Sequence, residues 1–167
     1  HLEYRMGSGK RKDVTKRTFR TLVKTIVQAA KSHQLEHVAL HLGPMGIKNL
    51  EELGDEWFYQ TLAENISLAS YEFNTYKTKK QSKTQLKEVL VCGISGKNNT
   101  AFNKGVTIAS AMNLTRDIAN TAGEDMQPND LAKATTKALK GTSATVRVLD
   151  HKAIKKLKMG LLDAVGK

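Results

Sequence analysis

The stretch Glu88-Val89-Leu90-Val91-Cys92-Gly93-Ile94 is apolar and rich in β-branched residues after its first position. A strand with one wet face alternates polar and apolar residues, so this unbroken run predicts a strand buried on both faces, inside a sheet. Helical patterns surround it. From Thr15, a good N-cap, to Ser32, the residues Phe19, Leu22, Val23, Ile26, Val27 and Ala30 recur at the spacing of one helix face. Val38, Leu40 and Leu42 alternate as a short strand that Gly43-Pro44-Met45-Gly46 breaks. Phe58, Leu62, Ile66 and Ala69 then line a helix from about Asp55 to Ser70. Past the central strand, Asn99 or Thr100 caps a long helix to about Thr121, apolar enough all round to meet more than one neighbour. Pro128 opens a helix to about Leu139, Val146 and Val148 form a strand, and a lysine-rich helix covers His151 to Lys158. Strands alternating with helices make this an α/β fold.

Charge and cysteine usage narrow the function classes. Among 167 residues, 27 Lys and Arg stand against 16 Asp and Glu, a net charge of +11 that attracts polyanions without specifying a fold. No apolar run approaches the roughly 18 residues of a membrane-spanning helix, so no membrane partner is expected. Cys92 is the single cysteine and cannot close an internal disulfide, which points to a reducing compartment, the cytoplasm or an organelle interior, with the cytoplasm the expected location. Both ends read as interior to a longer polypeptide. His1-Leu2-Glu3-Tyr4-Arg5-Met6 alternates like a strand already under way, and the apolar stretch in Gly160 to Lys167 needs something to pack against.

Familiar catalytic patterns are mostly incomplete. Gly7-Ser8-Gly9-Lys10 has the outline of a phosphate loop, yet it lacks the earlier Gly, and Arg11 stands where Ser or Thr should follow the Lys. His33, His37 and His41 share a helical spacing, but the helix ends before His37 and no Cys or carboxylate completes a metal shell. Cys92, in an apolar strand, reads as a small hydrophobe. Asp150-His151 has no exposed nucleophile to activate, and Glu124, Asp125 and Asp130 suit the positive end of a helix. No catalytic, cofactor-binding or metal-ligating residue emerges from this reading. What remains is basic: Lys10, Arg11, Lys12, Lys77, Lys79, Lys80 and Lys83 are candidate polyanion contacts, with Lys16, Arg17, Arg20 and Lys87 nearby. Tyr71, Phe73 and Tyr76 are the adjoining aromatics that could stack on bases, although a solvated face explains most such runs.

Three segments carry more than composition. Tyr71-Glu72-Phe73-Asn74-Thr75-Tyr76-Lys77-Thr78-Lys79-Lys80 resembles the Tyr-x-Phe-x-x-Tyr-Lys segment of leucyl aminopeptidases, the cytosol aminopeptidase family. Asn113-Leu114-Thr115-Arg116-Asp117-Ile118-Ala119-Asn120-Thr121, then Met126-Gln127-Pro128 and Leu131-Ala132, is similar to that family's Arg-Asp-Leu-x-Asn, Pro and Leu-Ala pattern. Val146-Arg147-Val148-Leu149-Asp150, with Ile154, Leu157-Lys158-Met159-Gly160 and Val165-Gly166-Lys167, resembles the strand and helix that follow. Ala122-Gly123-Glu124-Asp125 departs from the family, where a Pro-containing loop is usual.

The resemblance implies an order of parts. Residues 1–98 would be the later portion of an N-terminal α/β domain similar to a macro domain, 99–121 a connecting helix, and 122–167 the beginning of the catalytic domain. It implies a parent enzyme that hydrolyses N-terminal residues from peptides with two divalent metals, Zn or Mn, about 3.5 to 4 Å apart. Family enzymes are commonly hexamers, and some bacterial members also bind DNA, so a homo-oligomer and nucleic acid are the implied partners beside peptide substrates. The family's catalytic lysine, catalytic arginine and metal carboxylates all follow the segment matching Gly160 to Lys167, so none maps onto this chain.

Overall fold

The computed structural model of the chain describes residues 3–7, 10, 13–41, 52–78, 86–94 and 96–165. Thr15 opens the first helix as its chemistry predicts. Its hydroxyl accepts the Thr18 backbone N–H at 3.3 Å, while the Thr18 hydroxyl accepts the Thr15 backbone N–H at 2.6 Å. This reciprocal capping box satisfies two donors that a helix start leaves open. Helix α1 then runs Lys16–Ser32 with Phe19, Val23, Val27 and Ala30 buried along one face. It closes with Gln34 in the left-handed region (φ 56), where the Gln34 N–H reaches the Lys31 carbonyl at 3.1 Å and the Leu35 N–H reaches Ala30 at 3.0 Å. Glycine is usual in that position; here the paired bonds hold a glutamine there.

The next elements form a βαβ unit. Strand β1 (His37–His41) pairs in parallel with β2 (Glu88–Cys92), in the register His37 with Glu88 and His41 with Cys92, and helix α2 (Gly54–Ser70) lies between them in sequence. Parallel strands require a crossover of this kind, which places the fold in the α/β class. Val14, Phe19, Val23, Val27, Leu40, Leu62 and Ile66 make the core, and Val38, Val89, Val91 and Phe58 pack against it. Phe19 is central: its ring centroid lies 4.9 Å from Phe58 and 5.9 Å from Trp57.

Helix α3 (Lys97–Asn120) packs along α2. Contacts advance in the same direction on both helices, from Asn98 with Asp55, through Lys104 with Glu56, to Arg116 with Leu68, so the two run parallel. The face α3 presents is small: Ala101, Gly105 and Ala109 are its buried residues. A Cβ at Gly105 would stand 2.9 Å from the Ala63 Cβ and closer still to the Gln60 carbonyl oxygen.

Five expectations need correction. Strand β2 is not buried on both faces: Leu90 is 58% exposed, because among the described residues its only strand neighbour is β1 and only Val89 and Val91 point to the core. Residues 3–7 form no strand, and neither do Val146 and Val148, since among the described residues neither segment has a strand to pair with. Helix α3 starts at Lys97, ahead of Asn99 and Thr100, and its Val106, Met112 and Leu114 are exposed rather than covered by a second neighbour. Leu42 and the Gly43–Gly46 break lie outside the described residues, as do His1, Leu2, Gly166 and Lys167.

The backbone divides into two compact units, residues 1–120 and 121–167. In the second, α4 (Pro128–Ala138) begins with Pro at its first turn, as the sequence predicts. Gln127, not Glu124 or Asp125, is its N-cap; Asp130 sits in the first turn and pairs with Lys133 at 3.0 Å. Asp150 caps α5 (His151–Lys156) by accepting the Ala153 N–H at 2.7 Å, and His151 stands 3.5 Å from Asp163 of α6 (Gly160–Val165). No described residue of these three helices is buried, and Leu161 is 88% exposed.

Candidate functional site

An α-helix leaves its last four carbonyls without partners. In α2 these belong to Ser67, Leu68, Ala69 and Ser70, and the chain turns extended at Tyr71 with no basic residue in the last turn to meet them. Each instead accepts from a side chain of another helix. Asn113 Nδ2 donates to Ser67 at 3.3 Å and Arg116 Nη1 to Leu68 at 3.2 Å, both from α3. Lys31 Nζ, from α1, donates to Ala69 at 3.2 Å and Ser70 at 3.0 Å, and its ammonium also meets Glu72 Oε1 at 2.9 Å. Two cations thus sit at the negative end of the α2 dipole, supplied by tertiary structure.

Tyr71 extends this junction to the end of α3. Its hydroxyl donates to Asp117 Oδ1 at 2.8 Å and accepts from Asn120 Nδ2 at 3.2 Å. The Arg116 guanidinium lies 5.3 Å from the centre of the Tyr71 ring, within cation–π range, and also donates to Asn113 Oδ1 at 3.2 Å. Tyr71 and the Asn113–Asn120 run, far apart in sequence, are therefore one cluster in space. Nothing in the sequence marks Lys31 for its role. One signal could have found α3's part: Asn113, Arg116, Asp117 and Asn120 recur at i, i+3, i+4 and i+7, a polar stripe where a core-facing stripe would be apolar.

Two groups here are shifted in opposite directions. The hydrogen bond from Lys31 holds the Glu72 carboxyl below its ordinary 4.5 against the opposing effect of burial, with help from Asn74 and the charges of Lys31 and Lys77. Burial holds the Tyr71 hydroxyl above its ordinary 10.0, and donation to Asp117 adds to this while Asn120 and Arg116 oppose it. A depressed carboxyl stabilises the fold above its unfolded value and stops doing so as pH falls through its folded value. For the raised phenol, the contribution is complete below the unfolded value and disappears as pH rises through the folded one. In denaturant titrations across pH, Glu72→Gln should therefore flatten the decline below about pH 4.5 and Tyr71→Phe the decline above about pH 10. Variant curves parallel to wild type at both extremes would contradict these assignments.

The cluster holds chain segments together and contains no activated nucleophile. Elsewhere, His37 Nδ1 meets Glu88 Oε2 at 3.1 Å and His41 Nε2 lies 3.6 Å from Cys92 Sγ, so these two histidines are strand residues paired across the sheet, while His33 is the C-cap of α1. Among the described residues no group of three or more His, Cys, Asp or Glu could hold a metal ion. Of the candidate polyanion contacts, Lys10 and Lys77 are exposed, while Arg11, Lys12, Lys79, Lys80 and Lys83 lie outside the described residues. The phosphate-loop outline is described only at Gly7 and Lys10; Ser8 and Gly9 lie outside the described residues. Among the described residues no helix is long and apolar enough to cross a membrane.

Comparison with known proteins gives this geometry a family context. Residues 5–80 match the cytosol aminopeptidase family, N-terminal domain, and residues 113–167 match the cytosol aminopeptidase family, catalytic domain. A probable cytosol aminopeptidase of Azotobacter vinelandii is 34% identical over 165 residues, covering 96% of this chain and 32% of that protein. One from Chlamydia muridarum is 39% identical over 115 residues, covering 67% of this chain and 23% of its own length. The chain thus spans about a third or less of the curated relatives it matches. Among solved structures, the bottromycin maturation enzyme BotP in complex with Mn shares the fold at a TM-score of 0.59 and 22% identity, over 78% of this chain and 26% of that one.

Proposed function

The chain belongs to the cytosol aminopeptidase family, and from that premise we propose that it is a noncatalytic front portion of a peptidase that removes N-terminal residues from peptides. Residues 1–98 would be the later part of a macro-domain-like N-terminal domain, 99–121 the connecting helix and 122–167 the opening of the catalytic domain. The observation that carries this reading is the order of the two family matches, N-terminal domain over 5–80 and catalytic domain over 113–167. Two divalent metals, Zn or Mn, would act in the full-length enzyme; the Mn bound by BotP supports a metal of this class. Cytoplasmic location and assembly as a homo-hexamer belong to the same proposal. Polyanion binding through Lys10, Arg11, Lys12, Lys77, Lys79, Lys80 and Lys83 is secondary to it, resting on a net charge of +11 alone.

The test is an assay of this chain with a leucine chromogenic substrate and added Mn²⁺ or Zn²⁺, beside the Azotobacter vinelandii relative. The relative should turn over substrate only with metal, and this chain should show none above a contaminant control. Metal-dependent turnover by this chain would overturn its noncatalytic assignment, and an inactive relative would overturn the peptidase reading.

A further inference from the structure

The end of α3 is poorly supported by its own sequence. No basic residue lies in its last turn, and Asp117 places a carboxylate near the end where the helix dipole is already negative. No glycine follows until Gly123, so the usual left-handed closure is not encoded at Asn120 or Thr121. Helices ending this way fray over their last turn unless something outside holds them. Tyr71 supplies that hold. Its hydroxyl is donor to Asp117 and acceptor from Asn120, one residue in the final turn and one at its end, and its ring lies against the Arg116 guanidinium. Tyr71 is in turn fixed from the other side, since it directly follows the α2 carbonyls bonded by Lys31, Asn113 and Arg116.

The placement of these residues gives the contact its meaning. Tyr71 lies in the stretch matched by the family's N-terminal domain, whereas Arg116, Asp117 and Asn120 lie in the stretch matched by its catalytic domain. Yet all four belong to the first compact unit, which ends at Asn120. We infer that Tyr71 is a lock by which the N-terminal-domain stretch holds the opening residues of the catalytic-domain stretch in helical form, fixing the end of the first unit at Asn120. Without the lock, α3 ends near Arg116, where Arg116 still bonds the Leu68 carbonyl and Asn113 still bonds Ser67.

Hydrogen exchange resolved by residue on this chain tests the lock, because it separates fraying from global unfolding. Tyr71→Phe keeps the ring over Arg116 and removes only the hydroxyl; Asn120→Ala removes one of its partners without touching α2. Both variants should raise exchange at Asp117 to Asn120 at least tenfold and leave Val23 and Val27 of α1 within twofold of wild type. A rise below twofold at Asp117 to Asn120 in both variants would overturn the lock. So would an equal rise across α1, because the hydroxyl would then be supporting the whole unit and not the helix end.

Discussion

Gly105→Ala should destabilise the first unit by about 2 kcal/mol or more, even though alanine is the better helix former by about 1 kcal/mol. The added methyl would meet the Gln60 backbone carbonyl and the Ala63 Cβ, and a main-chain oxygen inside a helix cannot swing aside as a side-chain tip can. Relief requires α2 and α3 to move apart, which opens the packing at Ala101 and Ala109, 3% and 0% exposed, on the same stripe. Equilibrium denaturation should show a lower midpoint with an unchanged slope, and the melting temperature should fall by roughly 5–10 °C. Thr107→Ala, on the exposed side of the same helix, should change stability by less than about 0.5 kcal/mol. A Gly105→Ala protein as stable as wild type would mean that the two helices do not approach as closely as described.

Phe19→Ala should cost about 3–5 kcal/mol, the range for removing a fully buried aromatic ring. Phe19 is 1% exposed and joins α1 to α2 through ring contacts with Phe58 and Trp57. Those contacts add specificity beyond the area they bury. Trp57 is the single tryptophan, so its emission reports the site directly. The expected result is a red-shifted emission and a large fall in unfolding free energy, with Phe19→Leu losing only part of it. A loss below about 1 kcal/mol would remove Phe19 from the centre of the core.

The family segments were readable because they are local runs, but the junction they build was not. Tyr71, Asn113, Arg116 and Asp117 stand out as motif residues in the sequence. That they meet, and that Lys31 completes the set at the end of α2, depends on the packing of three helices. Nothing near Lys31 distinguishes it from the exposed cations Arg17, Arg20 and Lys24 on the same helix.

By itself the sequence determined the elements whose signals lie within a few residues. The Thr15 cap, the apolar stripe of α1 and Pro128 at the head of α4 placed three helix starts or faces, because capping and periodicity are short-range interactions. Tertiary structure alone decided whether a strand-forming run becomes a strand and which of its faces is covered. Leu90 and Val148 belong to similar β-branched stretches, but one pairs with β1 and the other pairs with nothing among the described residues. A strand's hydrogen bonds go to a partner distant in the chain, and a helix's go to its own backbone, so helices are written locally and sheets are not.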